Sequence, residues 1–242
     1  MTYQVIGLPS TADFGAGDDL AGSLLAALED AGFALQDGDV VCVASKVVSK
    51  VEGRLVPLPE AVDVHEARRM LAREQARRIV AEGAQVLVVE TPHGLVCANA
   101  GIDTSNVTDG MALLLPDDPD ASAAELRSAL EEVTDATVGV VITDTFGRPW
   151  RLGQTDVAIG AAGIEVLRDE RGTRDLHGRE LEVTMVAVAD ELAAAADLVR
   201  RKADGVPFVL IRGLEVTGRG RARDLVRPAE EDLFRRGAPR DG

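Results

Sequence analysis

The stretch VGVVITDTFGRPWRLGQTDVAIG, from Val138 to Gly160, decides how the chain is read. Val138 to Thr143 are mostly β-branched and apolar, the composition of a strand buried on both faces. The pattern predicts that this strand ends at Asp144 and Thr145 and gives way to a loop through Gly147, Arg148, Pro149 and Trp150. A carboxylate and a hydroxyl at a buried strand end, followed by such a loop, suit a site held by a rigid element. A second apolar run, Val157 to Ile159, closes the stretch between Gly153, Gly160 and Gly163. Hard oxygen ligands beside a guanidinium point to a metal and a phosphate in one place. The competing reading is a turn or helix N-cap, because Asp and Thr side chains both accept from nearby backbone N–H groups.

Composition bounds the class. With 242 residues, 46% hydrophobic and 28% charged, the chain has the length for a real core and the make-up of a folded globular protein. Aromatics are only 3%, so Ala, Val and Leu must fill that core. A net charge of −15 opposes non-specific nucleic-acid binding, and an anionic ligand would need metals and local Lys or Arg to be held. No apolar run is long enough to span a bilayer, and MTYQVIGLPS has no signal-peptide pattern, so the chain reads as cytoplasmic, with no membrane partner. Cys42 and Cys97 lie in apolar runs and read as buried free thiols. His65, His93 and Cys97 lack zinc-ligand spacing.

Outward from the central stretch, Tyr3 to Ile6 reads as a short strand, and Asp18 to Ala31 as a helix with acids in its first turn and Gly32 after its end. VVCVAS is a buried strand leading to Ser45, Lys46 and Lys50, small hydroxyls and lysines able to cradle phosphate without a P-loop pattern. Val62 to Gly83 reads as one or two amphipathic helices, Gln85 to Glu90 and Leu95 to Ala98 as a hairpin turning at His93 and Gly94. The hairpin leads into NAGIDTSNV, Asn99 to Val107, a loop rich in hard oxygen donors, Asp103 among them. Ala121 to Thr134 and Asp190 to Arg201 read as helices, Leu181 to Val188 and Phe208 to Ile211 as strands.

Taken together, these motifs resemble the coenzyme F420-0:γ-glutamyl ligases. The matching segments are GLPS (Gly7 to Ser10), ASKVVSKVEGR (Ala44 to Arg54) and VCANAGIDTSN (Val96 to Asn106). They continue with ITDTFGRPWRLGQTDVAIG (Ile142 to Gly160), DLHGRELEVT (Asp175 to Thr184), KADGVP (Lys202 to Pro207) and IRGLEV (Ile211 to Val216). The resemblance spans nearly the whole chain in the family's order. One departure is Arg201, following Arg200 just before the KADG turn, where many relatives carry a glycine.

The resemblance implies an α+β, two-domain subunit in an intertwined homodimer. The corresponding division is a larger domain in two parts, residues 1–75 and 155–242, with residues 76–154 as a smaller insertion. It implies a GTP-dependent ligase that joins L-glutamate to coenzyme F420-0 and then adds γ-linked glutamates through an acyl phosphate. Manganese or magnesium at two sites, with potassium as a monovalent partner, would be the metals. Asp103 and Asp144 would hold the first and Thr145 the second. Nucleotide contacts would fall on Leu8, Pro9, Ser10, Thr11, Ser45, Lys50 and Asn106, and on Lys202, Ala203, Asp204 and Gly205. Charge alone nominates Arg148, with Arg151, to hold the substrate's phosphodiester or carboxylates. The alternatives are a two-metal phosphohydrolase, which two Asp residues also suit, and a non-catalytic GTP-binding module.

Overall fold

A computed structural model describes residues 2–60, 62–84, 86–105, 107–201 and 205–236. In chain order the elements are β1 (Gln4–Leu8), α1 (Leu20–Asp30), β2 (Val40–Ala44), α2 (Ser45–Val51), β3 (Leu55–Pro57) and α3 (Val64–Glu74). There follow β4 (Arg78–Glu82), β5 (Leu87–Glu90), β6 (Val96–Ala98), β7 (Met111–Leu113), α4 (Pro119–Thr134), β8 (Gly139–Arg148) and β9 (Arg151–Ala162). The chain continues with β10 (Arg168–Asp169), β11 (Met185–Val186), α5 (Val188–Arg200), β12 (Phe208–Arg212) and α6 (Leu233–Arg236). Helices and sheets together make a mixed α+β molecule.

The β-branched runs pair into one five-stranded sheet in the order β1-β12-β2-β8-β9. Only β2 and β8 run parallel, in the register Val40↔Gly139 to Ala44↔Thr143; the other neighbours are antiparallel. Side chains alternate across a strand, so each run supplies both faces. Val41, Val43, Val140 and Ile142 pack with Leu24 and Leu28 of α1 and Leu126 and Leu130 of α4. Val40, Cys42 and Val141 pack on the other face with Val188, Leu192 and Ala196 of α5. Contact with α4 is close enough that a Cβ on Gly160 would lie 2.2 Å from the Pro119 carbonyl oxygen. A separate cluster joins Leu71 and Ala72 of α3, Leu87 and Val89 of β5, and Ala100, Ile102, Ala112 and Leu114. It lies against the three-stranded sheet β4-β5-β6 and holds the Asn99–Gly101 turn.

Several sequence expectations change. The strand from Val138 does not end at Asp144: β8 runs on to Arg148 and turns at Pro149 and Trp150 into β9, which pairs with it from Arg148↔Arg151 to Val140↔Ala162. Cross-strand partners and the β-branched Thr143 and Thr145 hold these residues extended, so the turn or N-cap reading of Asp144 and Thr145 is wrong. SKVVSKV, to which the sequence pattern assigns no element, is a helix, α2. Val62 to Gly83 contains α3 and then the strand β4, whose RIVAE run pairs with β5. Leu181 to Val188 holds only the two-residue β11, and α5 begins at Val188. In α1 the acids precede the first turn, where Asp19 caps by accepting from the Gly22 amide. Strand β8 and the start of β9, both inside the 76–154 span, belong to the five-stranded sheet. Among the described residues, no helix is long and apolar enough to cross a membrane.

Candidate active site

Of the predicted nucleotide and metal residues, those that are described gather at one end of the large sheet. Leu8 ends β1 opposite Phe208, Phe208 pairs with Val43, and Ala44 pairs with Thr143, so Ser45 and Asp144 lie just past that row. Backbone bonds tie the loops there: the Ser10 amide donates to the Gly205 carbonyl at 2.9 Å, and Ala44 to the Pro207 carbonyl at 3.0 Å. Pro9 and Thr11 flank Ser10 on the surface. Asn106, Lys202, Ala203 and Asp204 lie outside the described residues.

Helix α2 is the hub. Its Ser45 hydroxyl donates to Asp144 Oδ1 at 2.8 Å. Lys46 Nζ pairs with Asp103 Oδ2 at 2.6 Å and donates to the Ser105 hydroxyl at 3.1 Å and carbonyl at 3.3 Å. Lys50 Nζ reaches Asp13 Oδ1 at 3.4 Å. One short helix therefore draws the NAGIDTS loop to β8. Asp103 is fixed by its own backbone as well, exchanging bonds with Leu113 at 3.0 and 2.8 Å.

The two candidate metal carboxylates differ electrically. Burial opposes ionisation of Asp103, but hydrogen bonds from Lys46 and from the Ser105 hydroxyl and amide outweigh it, and the pKa falls below the usual carboxylate value. Burial pushes Asp144 up to about 7; hydrogen bonds from Ser45 and the Thr145 amide oppose the rise, and the negative charges of Asp156 and Asp103 add to it. Asp144 thus sits where negative charge is undercompensated. Among the described residues, no three His, Cys, Asp or Glu side chains stand close enough to form a ready-made metal cage. The donor set instead suits a divalent cation shared with phosphate oxygens, which needs only one or two protein carboxylates.

Thr145 is not beside Asp144. Consecutive strand residues point to opposite faces, and the Thr145 hydroxyl donates to Asp156 Oδ1 at 2.7 Å, on the side of α5. Asp156 is a site residue that sequence reading missed; a lone acid among the apolar residues of a buried strand was the available signal. Arg148 is not brought to Asp144 either. It stands four positions farther along β8, about 13 Å away at strand rise, and its Nη2 donates to the Leu152 carbonyl at 2.6 Å. An open cavity of about 300 Å³ borders the outer edge of β9 at Val157 and Ala158, with Leu95, Asp190 and Phe234 in its walls.

The F420-0:gamma-glutamyl ligase family model matches residues 10–213. The chain belongs to this family. Among curated relatives, the coenzyme F420:L-glutamate ligase of Methanothermobacter thermautotrophicus is 45% identical, over 97% of this chain and all of the relative. Ligases of the same name from Methanopyrus kandleri and Archaeoglobus fulgidus are 44% and 43% identical, over 90% and 97% of this chain and 92% and 96% of their own lengths. The family's motif segments are the ones that converge on α2 and β8: the Ser45–Asp144 bond joins ASKVVSKVEGR to ITDTFGR, and the Lys46–Asp103 pair joins it to NAGIDTS.

Proposed function

We propose that this ligase-family chain joins L-glutamate to coenzyme F420-0 and extends the product by γ-linkages, with GTP as the phosphoryl donor. The observation that carries the reading is the convergence of Ser45, Lys46, Asp103 and Asp144 at one end of the sheet, in a chain of this family. A carboxylate does not condense with an amine in neutral water until one of its oxygens becomes a leaving group. The substrate carboxylate oxygen attacks the γ-phosphorus and GDP leaves. The glutamate nitrogen then attacks the acyl carbon, loses a proton, and inorganic phosphate departs with the C–O electron pair.

In this scheme Asp103 and Asp144 hold manganese or magnesium and Thr145 contributes at a second position, with potassium as the monovalent partner. When bound, such metals neutralise phosphate charge, the main requirement in phosphoryl transfer. Ser45 orients the Asp144 carboxylate, Lys46 holds the Asp103 loop, and Lys50, paired with Asp13, brings positive charge to the chain just after the Leu8 to Thr11 segment. Arg148 fits a role in gripping substrate only after movement of the hairpin tip or across a subunit boundary. A cytoplasmic homodimer with a smaller domain within residues 76–154 completes the proposal. The exposed Trp150, Leu152, Leu176 and Val183 support a partner surface on the hairpin tip and the segment before β11.

The test is mass spectrometry after incubation with F420-0, L-glutamate, GTP and manganese. Glutamyl adducts matched by GDP are expected. GTP hydrolysis indifferent to glutamate would mark a phosphohydrolase, and GTP binding without turnover a binding module; either result overturns the reading.

A further inference from the structure

Asp156 is buried on the face of β9 opposite the Asp144 carboxylate, and it has three partners. Thr143 Oγ1 donates to its Oδ2 at 2.8 Å, Thr145 Oγ1 to its Oδ1 at 2.7 Å, and Arg200 Nη1 to its Oδ2 at 2.6 Å. Arg200 closes α5, and it also donates to Thr143 Oγ1 and, at 3.3 Å, to the Cys42 carbonyl. Its buried Nε has no partner among the described residues. The pair therefore clamps the last turn of α5 onto β2, β8 and β9 at the end of the sheet where the site lies.

Hydrogen-bond capacity makes this more than a brace. An ionised carboxylate accepts and cannot donate, and a hydroxyl has one proton to give. Thr143 gives its proton to Asp156 and receives Arg200, so it is engaged in both senses. Thr145 gives its proton to Asp156, and no other bond to its hydroxyl exists among the described residues. Its lone pairs can therefore serve only something that needs an acceptor.

We infer that Asp156 is a positioning residue for ligation: anchored by Arg200, it takes the Thr145 proton and fixes that hydroxyl as an acceptor for a divalent cation. The inference rests on the proposed ligase reading and extends it to residues on the far face of the strand. The plain alternative is a buried ion pair that merely closes α5 over the sheet.

The experiment compares wild type, Asp156→Asn, Thr145→Val and the double variant for melting temperature, ligation kcat and Mn²⁺ binding to the nucleotide-free full chain by electron paramagnetic resonance. Each single variant is expected to lose about tenfold or more in kcat and in Mn²⁺ affinity, as for other groups that orient a metal ligand. The double should be little worse than either, because the two act as one unit. A brace alone would lower the melting temperature and leave kcat and Mn²⁺ affinity of the folded protein within about twofold; that result overturns the inference. So would losses that multiply in the double. Should Asp156→Asn fail to fold, Arg200→Lys decides: it keeps the charge and loses the fork, and kcat lowered about threefold or more supports the inference while unchanged kcat overturns it. A wild type that neither ligates glutamate nor binds Mn²⁺ overturns the ligase reading and the inference together, whereas an active wild type with unchanged variants overturns the inference alone.

Discussion

The two faces of β8 at residues 143–145 are wired in opposite ways. On the α5 side, Thr143, Thr145 and Asp156 close around Arg200, and one guanidinium balances one carboxylate. On the α2 side, Asp144 accepts from the Ser45 hydroxyl and the Thr145 amide, and the Lys46 ammonium of the same helix is spent on Asp103. Among the described residues, the balanced cluster leaves only the Thr145 lone pairs to offer, whereas the unbalanced carboxylate of Asp144 waits for a ligand of the missing sign. Sequence spacing cannot separate the two, since they occupy adjacent residues and differ only in which way the strand points them.

The comparison is broken most severely at Asp144. Asp144→Asn nearly preserves volume and can still accept from Ser45, but it removes the charge, and kcat of glutamate ligation should fall by at least about a hundredfold, as when a transition-state electrostatic group is deleted. Equal folding of the variant is checked by circular dichroism.

A second prediction uses the same imbalance without turnover. With divalent cations chelated, the folded chain keeps a proton on Asp144 up to about pH 7, whereas the unfolded chain releases it near the ordinary aspartate value of 3.8. The folded state thus binds more protons across that window, so this group's contribution to stability declines as pH rises from about 4 to about 7. Urea midpoints measured across this range should show that slope, and Asp144→Asn should flatten it. A slope unchanged by the substitution would contradict the imbalance.

Arg148 supplies the small-effect control. Held to the Leu152 carbonyl at the hairpin tip, beside Trp150 stacked on Phe234 with centroids 4.9 Å apart, it stands apart from the unbalanced face. Arg148→Ala should lower kcat less than about threefold, in the range of an exposed pair, with any effect falling on substrate KM. A larger loss would bring the hairpin tip into the chemistry. The smallest effect belongs to the thiols: burial pushes Cys42 and Cys97 up to about 12, so a thiol reagent at pH 8 should label neither in the native protein.

Much of this arrangement was legible in the sequence. The apolar runs of β2, β8 and β12, the periodicity of α1 and α4, and the oxygen-rich NAGIDTS loop announce themselves through composition and spacing. Asp144 and Asp103 were found because carboxylates beside a buried strand are few. The misreadings have a common physical source, the override of local preference by partners distant in sequence. Asp144 and Thr145 look like a strand end, yet Val157 and Asp156 pair with them and keep the backbone extended. RIVAE hides among Arg, Glu and Ala until β5 supplies its ladder. Asp156 escaped notice because its meaning lies in Arg200, which arrives from 44 positions away.

The most direct test of the central claim, that Asp103 and Asp144 act as one charged unit in ligation, is a double-mutant cycle on kcat with Asp103→Asn, Asp144→Asn and both together. The account predicts a loss of about a hundredfold for each single and at most about threefold more for the double. Losses that multiply, or an Asp144→Asn enzyme that keeps its kcat while its stability falls by about 1 kcal/mol as for a lost structural hydrogen bond, would contradict it.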